Sequence, residues 1–217
     1  MKTKKIILIA ATVFLLSGCF IKSLYPFYTE KDIVYDNSII GTWMDNDSGK
    51  WIIKQHSKPM SGEDNSYQVE IIEKGGEKST YNVHLFKLNN QLYLDFYPIG
   101  SIASSSMARE NIVATHSLAK VTYTSKTIKV QWFNEIWMEQ LLEQNKIRIK
   151  HEKLNGKDTG DYTSSYLLTA STKDLQKFII KYGNDSLAFK SIWESDSKKR
   201  NEEALTLNLK KISNDAN

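Results

Sequence analysis

Cysteine occurs once, at Cys19. One sulfur excludes an internal disulfide and a thiolate metal cage, so a packed core has to hold the chain together. Histidine is nearly as scarce. His56, His84, His116 and His151 are the four, and none stands at His-x-x-x-His spacing, which excludes the helical zinc motif. No Gly-x-Ser-x-Gly elbow offers a serine nucleophile, and no cofactor fingerprint occurs. Long apolar runs are missing as well. Ile6 to Leu16 is eleven residues without charge, about 16 Å of helix against a hydrocarbon core of about 30 Å.

That short run is informative by position. Lys2, Lys4 and Lys5 precede it, and Leu16-Ser17-Gly18-Cys19 follows. A positive start, an apolar stretch and small residues read as a secretory signal. Ser17 and Gly18 suit a narrow peptidase groove, and Leu16 fills its hydrophobic subsite. The four residues resemble the lipobox of bacterial lipoproteins. The resemblance implies cleavage after residue 18 and acylation of the Cys19 thiol. Two or more acyl chains anchor stably where one is marginal. Phe20 stands where an aspartate signals inner-membrane retention in some bacteria, which points to the outer membrane, and no acidic cluster follows Cys19, which points to its periplasmic face. Removing residues 1–18 takes away three lysines and no acids, so the net charge falls from +4 to +1. A chain so close to neutral has no electrostatic case for nucleic acid.

Beyond Cys19 the sequence divides into an anchor and N-terminal segment over 19–38, a barrel over 39–170, and C-terminal helices with a polar tail over 171–217. The first of these is no Gly/Ser tether. Ile21, Leu24, Tyr25, Phe27, Tyr28, Ile33 and Tyr35 crowd it, so it is expected to pack on the body. Strands follow. Gly41 to Met44 turns through Asn46–Gly49 into Lys50–His56; Tyr67, Val69 and Ile71 alternate, then Tyr81, Val83 and Leu85. Asn89-Asn90 turns into Leu92, Leu94 and Phe96, and Leu118–Tyr123 leads through a turn to Ile128, Val130 and Trp132. Short alternating strands joined by tight turns predict an antiparallel meander, and closure into a barrel would remove its edges. Asn134 caps an inserted helix carrying Trp137, Met138 and Leu141. Ser171 or Thr172 opens a second helix, in which Leu175, Phe178, Ile179 and Tyr182 repeat at helical spacing and Gly183 stops the run. Leu205, Leu207 and Leu209 fit a strand, but Leu205, Leu209 and Ile212 fit a helix, so the state of the tail is open.

Gly41-Thr42-Trp43 resembles the Gly-x-Trp of lipocalins, and a meander barrel flanked by a helix resembles their fold. The resemblance implies a tryptophan closing the barrel floor and a cavity for an apolar ligand. A longer resemblance is to an uncharacterised family of bacterial lipoproteins. It runs through Leu24-Tyr25, Tyr28–Asp32, Gly41–Trp43, His84–Leu88, Leu92–Pro98, His151-Glu152 and Leu168–Thr172. It implies fold and location, not activity.

The function expected from these residues is a non-catalytic, membrane-tethered module. It would bind a lipid or other apolar or amphipathic small molecule among Trp51, Val69, Leu85, Leu94 and Phe96. The alternative is a filled core, with the protein acting in an envelope complex through its surface. No cofactor or metal is expected. His84 and His116 would come near Asp95 if their strands share a barrel, which makes a His/Asp base conceivable, although hydrogen-bonded structural histidines are the commoner outcome. Asn155–Asp161 lacks the order of a calcium loop. Tyr97–Val113 exceeds ordinary loop length and is expected to cross the open end, with some of Ile99, Ile102 and Met107 turned inward.

Overall fold

The computed structural model describes residues 21–56, 65–100, 107, 110, 112–154, 166–189 and 205–213. Residues 1–20, with the expected signal segment and Cys19, and also Ile102 and the Asn155–Asp161 loop, lie outside the described residues. The strands are β1 (Lys22–Ser23), β2 (Gly41–Met44), β3 (Lys50–Gln55), β4 (Tyr67–Ile72), β5 (Lys78–Leu88), β6 (Gln91–Pro98), β7 (His116–Tyr123), β8 (Thr127–Trp132), β9 (His151–Lys153), β10 (Tyr166–Leu168) and β11 (Thr206–Ser213). Two α-helices lie wholly within the described residues, α1 (Glu135–Glu143) and α2 (Thr172–Tyr182).

From β2 to β8 each strand pairs antiparallel with the next, as the alternation predicts. Closure comes from the polar tail. β11 pairs with β8 along one edge, Leu209 opposite Ile128, and with β2 along the other, Lys211 opposite Trp43. The result is an eight-stranded closed antiparallel barrel. The open choice between strand and helix for the tail resolves as strand. The expected boundary at residue 170 is corrected accordingly, because the eighth stave of the barrel comes after both helices. Leu209 lies 1% exposed in the barrel core, so the period of two governs this stretch.

Local chemistry explains the turns. Asn89 and Asn90 sit at φ +48° and +61°, both left-handed, as a two-residue hairpin turn between Leu88 and Gln91 requires. Asp45 Oδ1 accepts the backbone N–H groups of Asp47 and Gly49 at 3.0 and 2.7 Å, which closes the β2–β3 turn. Asn134 caps α1 by accepting the Trp137 N–H at 3.0 Å. The helix ends at Asn145, φ +53°, with Asn145 and Lys146 donating to the carbonyls of Leu142 and Leu141. Ser171 caps α2 through the Asp174 N–H. Gly183 ends α2 for a reason other than a left-handed turn, since its φ is −64°. A β-carbon there would collide with the Tyr93 hydroxyl and stand 2.6 Å from the Ile179 carbonyl.

Two cores share the strands. Val83, Leu85, Leu94, Phe96, Ala119 and Val121 point into the barrel. Their neighbours Phe86, Tyr93 and Leu118 point outward, and meet Ile21, Phe27, Phe133, Met138, Leu175 and Phe178 from the N-terminal segment and both helices. The N-terminal segment packs on the body as expected: Ile21 and Phe27 are wholly buried, and Ile33 bridges to Phe86. β1 departs from the start of β7 and carries a small annex, β10 parallel to β1 and β9 antiparallel to β10.

Trp43 occupies the floor. It is fully buried, its indole N–H donates to the Ile39 carbonyl at 2.9 Å, and the Lys211 ammonium lies 4.8 Å from its ring centroid. Gly41 reaches φ +135°, a backbone that other residues rarely adopt, and this swings the chain from the N-terminal turn into β2. Trp43→Ala is expected to cost about 3–5 kcal/mol through the void left behind. A denaturant midpoint equal to wild type would contradict this placement.

Candidate functional site

All five residues expected to line a cavity face the barrel interior. Trp51, Val69, Leu85, Leu94 and Phe96 are each 6% exposed or less. They surround the barrel axis together with Tyr67, Tyr123 and Leu209, among others. The space left between them is about 20 Å³, room for about one water molecule. Eight strands make a barrel that side chains can fill, and here they do. Tyr67 and Tyr123 were legible as strand positions; what the alternation could not show is that their hydroxyls meet over one aspartate, Tyr123 on its carboxylate and Tyr67 on its backbone carbonyl.

That aspartate, Asp36, closes the floor. Tyr123 donates to Asp36 Oδ2 at 2.9 Å, the Ser38 N–H donates to Oδ1 at 2.8 Å, and the Tyr67 hydroxyl donates to the Asp36 carbonyl at 3.2 Å. The Ser38 hydrogen bonds, helped by Tyr123, hold the Asp36 carboxyl below its usual range. Burial, with the adjacent carboxylate, pushes the Tyr123 phenol up to about 12, and burial pushes Tyr67 up further. Tyr35 stacks on Tyr67 with ring centroids 5.0 Å apart. At the opposite end Phe96 gathers the other aromatics: its ring lies 5.0 Å from Trp132, 5.9 Å from Tyr81 and 6.0 Å from Trp51. The Trp51 indole N–H, though buried, has no hydrogen-bond partner among the described residues.

Outside the barrel wall, Asp95 is wholly buried beneath the N-terminal segment. Its Oδ1 stands 2.7 Å from His116 Nδ1, and its Oδ2 accepts the Phe27 N–H at 2.8 Å. The expected His/Asp pair thus forms with His116. His84, opposite Asp95 in register, turns to Tyr28, whose ring stacks at 4.3 Å and whose hydroxyl lies 3.3 Å from Nε2. Tyr97 covers the His116 ring at 4.7 Å. Among the described residues no hydroxyl hydrogen-bonds to His116, and both Asp95 oxygens hold structure together. The group clasps the N-terminal segment to β6.

The long segment after β6 is described only in part. β6 continues through Pro98, and Ile99 donates to the Thr80 carbonyl at 2.9 Å, which extends the ladder. Met107 is 79% exposed and does not turn inward. A groove between the N-terminal segment and the β5–β6 turn, edged by Lys31, Lys87, Asn89 and Asn90, is broad and open. Among the described residues no group of three or more His, Cys, Asp or Glu side chains is close enough to hold a metal ion, and no helix is long and apolar enough to cross a membrane.

No family model, no curated protein and no solved structure matches the chain. The closed eight-stranded antiparallel barrel agrees with the fold that Gly41-Thr42-Trp43 implies. No match identifies a particular lipoprotein family.

Two outcomes check this geometry. Asp95→Ala leaves the buried Phe27 N–H and the His116 ring without their acceptor and is expected to cost about 1–3 kcal/mol, read as a lower melting midpoint and faster proteolysis before residue 33. The buried phenols predict alkaline instability. Tyr93 and Tyr123 are both raised to about 12 from 10.0, so the unfolded chain loses these protons first. Stability is full below pH 10 and is lost as pH rises towards 12. A melting series from pH 8 to 11.5 should show this loss, and Tyr93→Phe should lessen it.

Proposed function

We propose that the protein is a lipoprotein of the bacterial envelope, tethered through acylated Cys19, whose filled barrel is a rigid, non-catalytic scaffold acting through its outer surface in an envelope complex. The observation that carries the scaffold reading is the residual space of about 20 Å³. A fatty acyl chain needs a pocket of about 300 Å³ or more, so it would have to displace Trp51 and Phe96 and break the aromatic cluster. The floor is equally occupied, by Ile39, Asp36 and the two tyrosines. The tether rests on Leu16-Ser17-Gly18-Cys19 and its flanks, and the outer membrane on Phe20.

One observation favours the second reading, a binding module for an apolar or amphipathic molecule. The Trp51 N–H is buried beside the residual cavity without an acceptor among the described residues. A ligand carboxylate or carbonyl would satisfy it if the cluster opened. The two readings separate in one titration of the full-length mature protein with a fluorescent fatty acid, read by probe emission and by tryptophan quenching. The scaffold reading expects no saturable uptake; one-to-one binding displaced by unlabelled fatty acid would replace it with the second. The tether is tested separately. Cys19→Ser should leave an unacylated precursor that keeps residues 1–18, and a soluble native protein with a free thiol would sink the lipoprotein reading.

A further inference from the structure

The chain passes from its anchor into the fold almost at once. Only Phe20 separates Cys19 from Ile21, which is wholly buried in the outer core, and Lys22–Ser23 already form β1, paired with β7 and β10. Two residue steps reach about 7 Å. A lipid on Cys19 would therefore leave almost no linker and hold the surface around β1 close to the membrane.

That surface has a definite chemistry. Side chains alternate across a strand, and Ile21 and Ser23 are buried, so Lys22 and Leu24 stand on the outer face of the annex. Register places Leu167 and Glu152 beside Lys22. The Leu24 N–H donates to the Leu168 carbonyl and the Thr169 N–H to the Lys150 carbonyl, each at 3.0 Å, which carries the same face one row further. Ile147 and Ile149 are buried, so Arg148 and Lys150 point outward with it. The face thus presents Lys22, Arg148 and Lys150 against one acid, Glu152. Among the described residues none of the three cations has an ion-pair partner. Leu24 is 36% exposed and its neighbour Tyr25 is 50% exposed. Cations with long apolar stems, a leucine and a tyrosine are the side chains that settle at a headgroup boundary.

We infer that the outer face of the β1–β10–β9 annex rests on an anionic phospholipid bilayer, so that the anchor sets the orientation of the barrel as well as its location. The inference rests on acylation of Cys19. In consequence β3, four strands round the barrel from β7, is turned towards the aqueous side.

The test uses the acylated full-length mature protein in phosphatidylethanolamine–phosphatidylglycerol vesicles. Acylation consumes the native thiol, so a nitroxide can be placed at a single new cysteine, Glu152→Cys on the annex or Lys54→Cys on β3; both positions are exposed. Collision with a water-soluble nickel complex is compared in vesicles and in detergent. The expected result is a severalfold loss of nickel access at residue 152 in vesicles, none at residue 54, and recovery of access when Arg148→Glu and Lys150→Glu are added. Equal access at both positions in vesicles would overturn the inference, and so would shielding that ignores the charge reversal. Mass analysis of the N-terminal peptide separates the two claims. An unmodified Cys19 sinks the lipoprotein reading, whereas an acylated Cys19 with a water-exposed residue 152 sinks the orientation alone.

Discussion

Seven strands paired in sequence leave two rows of backbone groups without partners, one on β2 and one on β8. An unpaired buried amide is costly and an exposed edge invites other chains. Thr206–Ser213 answers both edges with one strand. Everything else in the barrel follows from that closure. Once the ring is complete, its inner face is a closed volume that must be filled with side chains, and its outer face is a wall on which other elements can pack. The floor depends on it directly: Lys211 of this strand caps the Trp43 ring and also donates to the Ser38 carbonyl at 3.0 Å.

The outer wall of β5, β6 and β7 is as apolar as the inner one at Phe86, Tyr93 and Leu118. A strand buried on both faces loses the clean alternation of an exposed barrel. The helices and the N-terminal segment exist, structurally, to cover that second face. Several polar groups on it are then enclosed and find specific partners: Asp95 with His116 and Phe27, His84 with Tyr28, Lys120 with the Gly183 carbonyl at 3.1 Å. Desolvation alone lowers the pKa of Lys120 from its usual value. These contacts give the outer core a register that apolar packing would not.

Much of this was legible in the residues. Alternation at Val83, Leu85, Leu94 and Phe96 named the inner face, Asn89-Asn90 named a hairpin, and Asn134 and the pair Ser171-Thr172 marked the helix starts. Gly41-Thr42-Trp43 placed the floor tryptophan. The closing strand was not legible, because Leu205, Leu207, Leu209 and Ile212 satisfy two periods at once, and a partner more than 160 positions away decides between them. The fill of the barrel was not legible either. Apolar residues at inward positions look the same whether they pack against each other or surround a void; the answer lies in the diameter of the ring and the rotamers of Trp51, Phe96 and Trp132. The Asp36 floor was missed because no local pattern links a turn aspartate with tyrosines on two distant strands.

The remote origin of the eighth stave bears on how the chain reaches this state. Synthesis proceeds from the amino end, so β2 to β8 emerge long before Thr206. A sheet formed before then would be a curved ribbon with two bare borders and a half-wet aromatic interior, the kind of intermediate that aggregates. Contacts between Met44 and Lys210 add greatly to the mean sequence separation, and such topologies fold slowly. Meanwhile the outer core can assemble earlier, since Phe86, Tyr93, Phe133 and α2 all precede the last strand. A shielded back wall would then steady the ribbon while its final border is awaited.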